Sequence, residues 1–174
     1  MLYPAFIEDR KYFGQVMVHA DDSHDSIVLK NFRALNELAL QGSQSPSDLI
    51  QAYLRKGIEI FDLPWAFVCK IEEQSETFVA LNTPSKDLKV GDTVPLESSY
   101  CREVYRSRQI IGLPHIGKIP ELIELNTYQS FHLEAYLAAP IYLAGEFYGT
   151  VAFCSTIPRS LGFSEHEREL IASI

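Results

Sequence analysis

The sequence predicts an α+β domain, a single antiparallel sheet with a helical layer behind it, on three observations. Two amphipathic helical segments, residues 26–42 and 45–61, precede everything strand-like, and a third opens at Ser164 near the end of the chain. Between them the hydrophobic period shortens to that of strands, in "WAFVCKI", "TFVAL", "AYLAAPIYL" and "FYGTVAF". These runs come in adjacent pairs with short links. That is the order of hairpins, not of the strand and helix alternation that builds a parallel sheet.

Each element follows from its own residues. Residues 1–25 read as an amino-terminal arm ending in the polar run "HADDSHD", and residues 26–174 as one domain. "SIVLKNFRALNELALQG" has Ser26 as N-cap, Val28, Phe32, Leu35 and Leu38 at helical spacing, and Gly42 as its stop. In "SPSDLIQAYLRKGIEIF" Pro46 suits the first turn, and a stripe from Leu49 to Phe61 supplies the apolar face, weakened at Gly57. "WAFVCKI" and "TFVAL", joined by "EEQSE", predict a hairpin. "SKDLKVGDTVPLE" predicts a loop with a short extended piece, and "SSYCREVYRS" a short helix capped by Ser98 or Ser99. "QIIGL" reads as a strand and "IPELIEL" as a helical turn.

The strongest hairpin joins "AYLAAPIYL" to "FYGTVAF" through "AGE" around Gly145. Strand alternation sends Leu137, Ala139, Ile141 and Leu143 to an aliphatic face suited to helices, and Tyr136, Ala138, Pro140 and Tyr142 to a face suited to a partly polar pocket. "FSEHERELIASI" carries Ser164 and Glu167 at capping-box spacing. The helix that follows has not run out by Ile174, so the chain reads as part of something longer.

Composition narrows the function. Fifteen basic residues against 23 acidic ones give a net charge of −8 with no basic patch, which removes the electrostatic footprint of nucleic-acid binding. Cys69, Cys101 and Cys154 form no CxxC pair, and their odd number suits a reducing, cytoplasmic setting. The apolar runs fall far short of the roughly 20 residues of a membrane span. Glu8, Asp9, Arg10 and Lys11 stand where a signal peptide would be apolar.

Several residues offer chemistry. Cys101, at a helix start, is a candidate nucleophile with His115 or His132 as a possible base, although a small buried hydrophobe is the plainer reading. His19 and His24 with the aspartates of "HADDSHD" resemble metal ligands, but a solvated loop has the same composition, and no metal is assigned. Arg102, Arg106 and Arg108 could meet an anionic ligand, or simply form a solvated helix face.

The run "YQSFHLEAYLAAPIYLAGEFYGTVAFCSTIPRSLGFSEHERELI", with Pro140, Gly145, Gly149, Phe163, Ser164 and Glu167, resembles the carboxy-terminal half of a GAF domain, a ligand-sensing module of signalling proteins. "WAFV" and "VPLESSYCREVYRSRQII" match upstream parts in order, so the resemblance covers about residues 26–174. It implies a PAS-like, profilin-like fold with a five- or six-stranded antiparallel sheet, helices on one face that often form a homodimer interface, and loops enclosing a pocket on the other. Phe67, Tyr100, Cys101, Arg102, Tyr128, Phe131, His132 and Tyr136 are the expected ligand contacts, His132 the leading polar one. "LNTYQSFHLEAY" lacks the cysteine of bilin-binding members, no cyclic-nucleotide signature is present, and the cysteine spacings do not resemble those of methionine sulfoxide reductases. The ligand and any cofactor are left open. The expectation is a non-catalytic sensor serving a histidine kinase or diguanylate cyclase. The alternatives are a thiol reductase using Cys101 and a pure dimerisation module.

Overall fold

The computed structural model describes residues 22–40 and 45–174. Most of the arm, the expected stop at Gly42 and His19 of the polar run lie outside them. Helix α1 spans Asp22–Leu40 and α2 spans Pro46–Phe61. The first corrects the expected start: Ser26 lies inside α1, not at its cap, and the last residues of the polar run are helical. At α2 the Ser45 hydroxyl accepts from the Asp48 N–H, and Pro46 occupies the first turn, where its missing N–H costs no helical bond.

Strands β1 (Trp65–Glu72), β2 (Ser75–Asn82), β3 (Thr93–Pro95), β4 (Ile111–Leu113), β5 (Ala135–Leu143) and β6 (Glu146–Ser155) form one sheet in the order β3-β2-β1-β6-β5-β4, every pair antiparallel. The first and last strands therefore meet in the middle, and the chain between β3 and β4 must cross the sheet from edge to edge. That crossing carries a 3-10 turn at Leu96–Ser98 and helix α3, Cys101–Ser107. Between β4 and β5 lie another 3-10 turn and the short helices α4 (Pro120–Ile123) and α5 (Asn126–Phe131), the last of which the sequence did not announce. Helix α6 spans Glu165–Ile171.

Over residues 135–139 alternation divides the core as expected, whereas Tyr142 and Leu143, expected to face the pocket and the helices, are exposed beyond a register shift that pairs Ile141 with Gly149 but Tyr142 with Phe147. Ala135, Leu137 and Ala139 of β5, with Val151 and Phe153 of β6, pack with Leu54, Phe61, Leu170 and Ile171 of the helical layer. Tyr136, Ala138, Ala152 and Cys154 face the other way, under α3 and its neighbours. A further exception is β2. Val68 pairs with Ala80 but Cys69 with Phe78, so Val79 is an extra residue, a bulge that reverses the faces on either side of it. Ala80 thus joins the helical layer, while Phe78 and Glu76 turn to the opposite face.

The two long hairpins close tightly. Ala144 and Gly145 have φ of 50° and 85°, the paired positive values of a type I′ turn. The β1 to β2 connection is only Glu73 and Gln74, shorter than the five-residue link expected, with Glu73 at φ 55°. At α6 the capping box is complete: Ser164 Oγ accepts from the Glu167 N–H, and the Glu167 carboxylate accepts from the Ser164 N–H at 2.7 Å. Arg159 also donates to Glu167, at 2.7 Å. Ser164→Ala is expected to lower stability by about 1 kcal/mol, read as a reduced urea midpoint at unchanged slope.

Candidate functional site

The edge-to-edge crossing lays residues 96–107 over the sheet and leaves a pocket between them. Its floor comes from Phe67, Ala152 and Tyr136, its roof from Ser99, Tyr100 and Cys101, and one wall from Phe131 of α5. Two hydrogen bonds tie roof to wall. Thr127 Oγ1 donates to the Ser98 carbonyl at 2.9 Å, and Tyr100 Oη donates to the Leu133 carbonyl at 3.3 Å. The cavity volume is about 70 Å³, several times the roughly 10–15 Å³ needed to hold one water.

Five of the eight expected contacts line this pocket: Phe67, Tyr100, Cys101, Phe131 and Tyr136. Tyr100 and Tyr136 pack edge to face at 5.4 Å, and the rings of Trp65, Phe67, Phe78 and Phe131 form a continuous aromatic border. The other three stand outside it. Arg102 is turned to the Glu103 carboxylate, at 2.8 Å from Nε, and to the Glu97 carbonyl. Nor is it part of a solvated face, since its side chain is only 12% exposed and Glu103 is buried. Arg106 pairs with Glu97, and the Arg108 guanidinium lies over the rings of Tyr105 and Phe147 at 4.1 and 3.8 Å.

Tyr128 and His132 belong to a separate polar cluster. Tyr128 Oη donates to Glu134 Oε1 at 2.6 Å, and Glu134 Oε2 accepts from the Gly117 N–H at 2.8 Å. His132 is exposed, in the left-handed conformation that ends α5, and stacks on Tyr128. The residue expected to be the leading polar contact is thus turned outward by the helix end. Neither it nor His115, 3.8 Å from Glu134, borders the pocket that holds Cys101.

The feature the sequence did not reveal is Glu76. It is 3% exposed, lines the pocket, and its Oε2 has no hydrogen-bond partner. Burial raises its carboxyl pKa, against the opposing pull of Ser99, Cys69 and Cys101 beside it. In "EEQSETFVAL" it read as part of a polar link, and only the bulge at Val79 aims it inward. All three cysteines are reduced and buried. Burial pushes the Cys69 and Cys154 thiols well up, so both are neutral at ordinary pH. Cys101 Sγ accepts from Tyr136 Oη at 3.4 Å and from Thr150 Oγ1 at 3.3 Å.

Chemically the pocket is an apolar cavity with a few converging polar groups and one carboxyl. Among the described residues no basic side chain lines it, so its lining suits a neutral or cationic group better than the anionic one that Arg102 suggested.

A GAF domain profile matches residues 45–174. Among curated proteins none matches the sequence. The fold is similar to that of the GAF domain from Acinetobacter phosphoenolpyruvate-protein phosphotransferase, at 14% identity and TM-score 0.64 over 88% of each chain. It is similar to free methionine-R-sulfoxide reductase from Neisseria meningitidis, at 13% identity and TM-score 0.64, over 88% of this chain and 89% of that one. The chromophore-binding domain of Stigmatella aurantiaca phytochrome P1 also matches, at 14% identity and TM-score 0.61, over 88% of this chain and 58% of that one. At such identities these likenesses speak for fold alone.

Proposed function

The chain belongs to the GAF domain family, and from that premise we propose that it is a sensory module with no catalysis of its own, binding a small neutral or cationic molecule between the sheet and the α3 to α5 cover. One observation carries this reading: the pocket and the helical layer share the same strands. Tyr136 and Ala152 line the pocket, while Leu137 and Phe153, one residue along, pack with α2 and α6. A ligand that prefers one spacing of the sheet and its cover therefore biases the packing of the helices by its differential affinity, and no more than that. Exposed Ile27, Leu29 and Leu40 on α1 support a homodimer through that layer as the output, serving an effector such as a kinase or cyclase.

A thiol reductase using Cys101 is less well supported, because the other two thiols are held protonated by burial and, among the described residues, no histidine lines the pocket. The test is a thermal-shift screen of metabolites against wild type and the pocket-filling Ala152→Val, with native mass spectrometry recording bound mass and subunit count. A true ligand at a hundredfold excess over Kd contributes about 2.7 kcal/mol, roughly 5–10 °C for a domain of this size, and Ala152→Val loses the shift. No retained mass, no shift and an unimpaired Ala152→Val dimer would instead identify a packed dimerisation module. Turnover of methionine sulfoxide that disappears in Cys101→Ala would restore the enzyme.

A further inference from the structure

Cys69 on β1, Glu76 on β2 and Cys101 at the start of α3 bring two sulfurs and a carboxylate oxygen within 4.8 Å of one another, all three residues buried. Sequence separation hides the cluster; the bulge at Val79 and the edge-to-edge crossing of residues 96–107 create it. It is an odd thing to build into an apolar floor. A buried carboxyl needs partners for its oxygens, yet Glu76 Oε2 has none, and among the described residues no basic side chain lines the pocket. A cation held between the two sulfurs and that oxygen would supply the partner.

The donor set says which kind. Two thiols and one carboxyl are poor partners for calcium or magnesium, which take oxygen ligands, and good ones for a borderline-soft divalent ion. Metal to sulfur bonds of about 2.3 Å and metal to oxygen bonds of about 2.0–2.2 Å put tetrahedral ligand atoms roughly 3.5–3.8 Å apart. A cluster already within 4.8 Å closes on such an ion by side-chain adjustments of about 1 Å or less. Two members of the cluster have hydrogen-bond donors at hand. Tyr136 and Thr150 donate hydrogen bonds to Cys101 Sγ, the outer support that metal-bound thiolates use. Ser99 Oγ accepts from the Cys101 N–H at 3.1 Å, which leaves its own hydrogen for the neighbouring Glu76.

The geometry points to a mononuclear site for a zinc-class divalent transition metal, held by Cys69, Glu76 and Cys101 with its fourth position open to the pocket. Binding releases the two thiol protons, and that of Glu76 where it is protonated, to solvent, and moves no electrons. Three protein ligands with one open position are the arrangement of sites where an outside molecule or water completes the shell, not of closed structural sites. This inference stands apart from the sensory reading: the metal would bind whether or not occupancy is signalled.

The test is titration of the reduced, chelator-stripped protein with Co²⁺. One equivalent is expected to develop sulfur-to-cobalt charge-transfer absorption with tetrahedral ligand-field bands, and Zn²⁺ to displace it. Cys69→Ser and Cys101→Ser should each remove part of the charge-transfer intensity and weaken binding at least about 100-fold, and Glu76→Gln should weaken it about 10–100-fold. Cys154→Ser, which removes a pocket thiol outside the cluster, should leave the spectrum intact. Circular dichroism checks folding. Should a cysteine variant not fold, the near-isosteric Glu76→Gln and the wild-type spectrum still decide. Absence of charge transfer in wild-type protein with three free thiols overturns the site. So does cobalt binding that survives both cysteine substitutions, which would be adventitious.

Discussion

Gly149→Ala is expected to cost more than about 3 kcal/mol, the range reserved for a small set of disruptive mechanisms, and to leave little folded protein at 37 °C. Gly149 sits in β6 opposite Lys70 of β1, at the centre of the sheet. A Cβ built there falls 1.9 Å from the Cys69 carbonyl oxygen, 2.9 Å from its carbon and 3.0 Å from Lys70 Cα. All three are backbone atoms of the neighbouring strand, so no rotamer change relieves the clash, and β1 and β6 would have to part. A strand-interior glycine ordinarily weakens its strand; here it is what lets the central pair close. Urea denaturation of both proteins checks this, and a loss below about 1 kcal/mol would mean that the two strands separate more easily than their pairing implies. Because Cys69 supplies both the carbonyl that is struck and a thiol of the buried cluster, cobalt binding should fall with stability.

The second large effect concerns the contact between helix and sheet. Phe153, fully buried, packs on Phe61 at a ring distance of 5.0 Å and lies against the backbone of α2 at Gly57. Phe153→Ala is expected to cost about 3–5 kcal/mol through lost burial and an unfilled cavity. At Gly57 two effects oppose. Alanine gains about 1 kcal/mol in helix propensity, but its Cβ would stand 2.2 Å from Phe153 Cζ and 2.4 Å from Cε1. Overpacking of this kind costs typically 1–3 kcal/mol, so Gly57→Ala should be net destabilising. In a Phe153→Leu background the ring is gone and the propensity gain should show, giving a coupling of about 1 kcal/mol or more in a double-mutant cycle. Simple additivity, or a Gly57→Ala that stabilises wild type, would show that α2 shifts off the sheet at little cost.

Gly57 shows how far the sequence could be read. Its place within a helical stripe announced a weak point, but the ring that requires it comes from Phe153, far along the chain. The same division holds at the site. Tyr136 and Phe131 line the pocket, where alternation on β5 and the aromatic approach to it, both local patterns, put them. Arg102 and His132, whose residue type suggests ligand chemistry, lie outside the pocket, because Glu103 captures one side chain and the helix end turns the other outward. Glu76 was invisible, since in sequence an acidic residue beside a turn looks solvated.

By itself, then, the sequence determined the two long helices by their stripes, the capping box at Ser164, the hairpin closing at Ala144 and Gly145, the two-faced character of residues 135–139, and the family resemblance. Each rests on interactions within a few residues, which the chain carries wherever it folds. Only the tertiary structure decided the strand order that crosses residues 96–107 over the sheet, the bulge at Val79, and the meeting of Cys69, Glu76 and Cys101. These depend on register and on packing between distant segments. A one-residue slip in β2 sends Glu76 to the opposite face of the sheet, and nothing in its immediate neighbours records which side it will take.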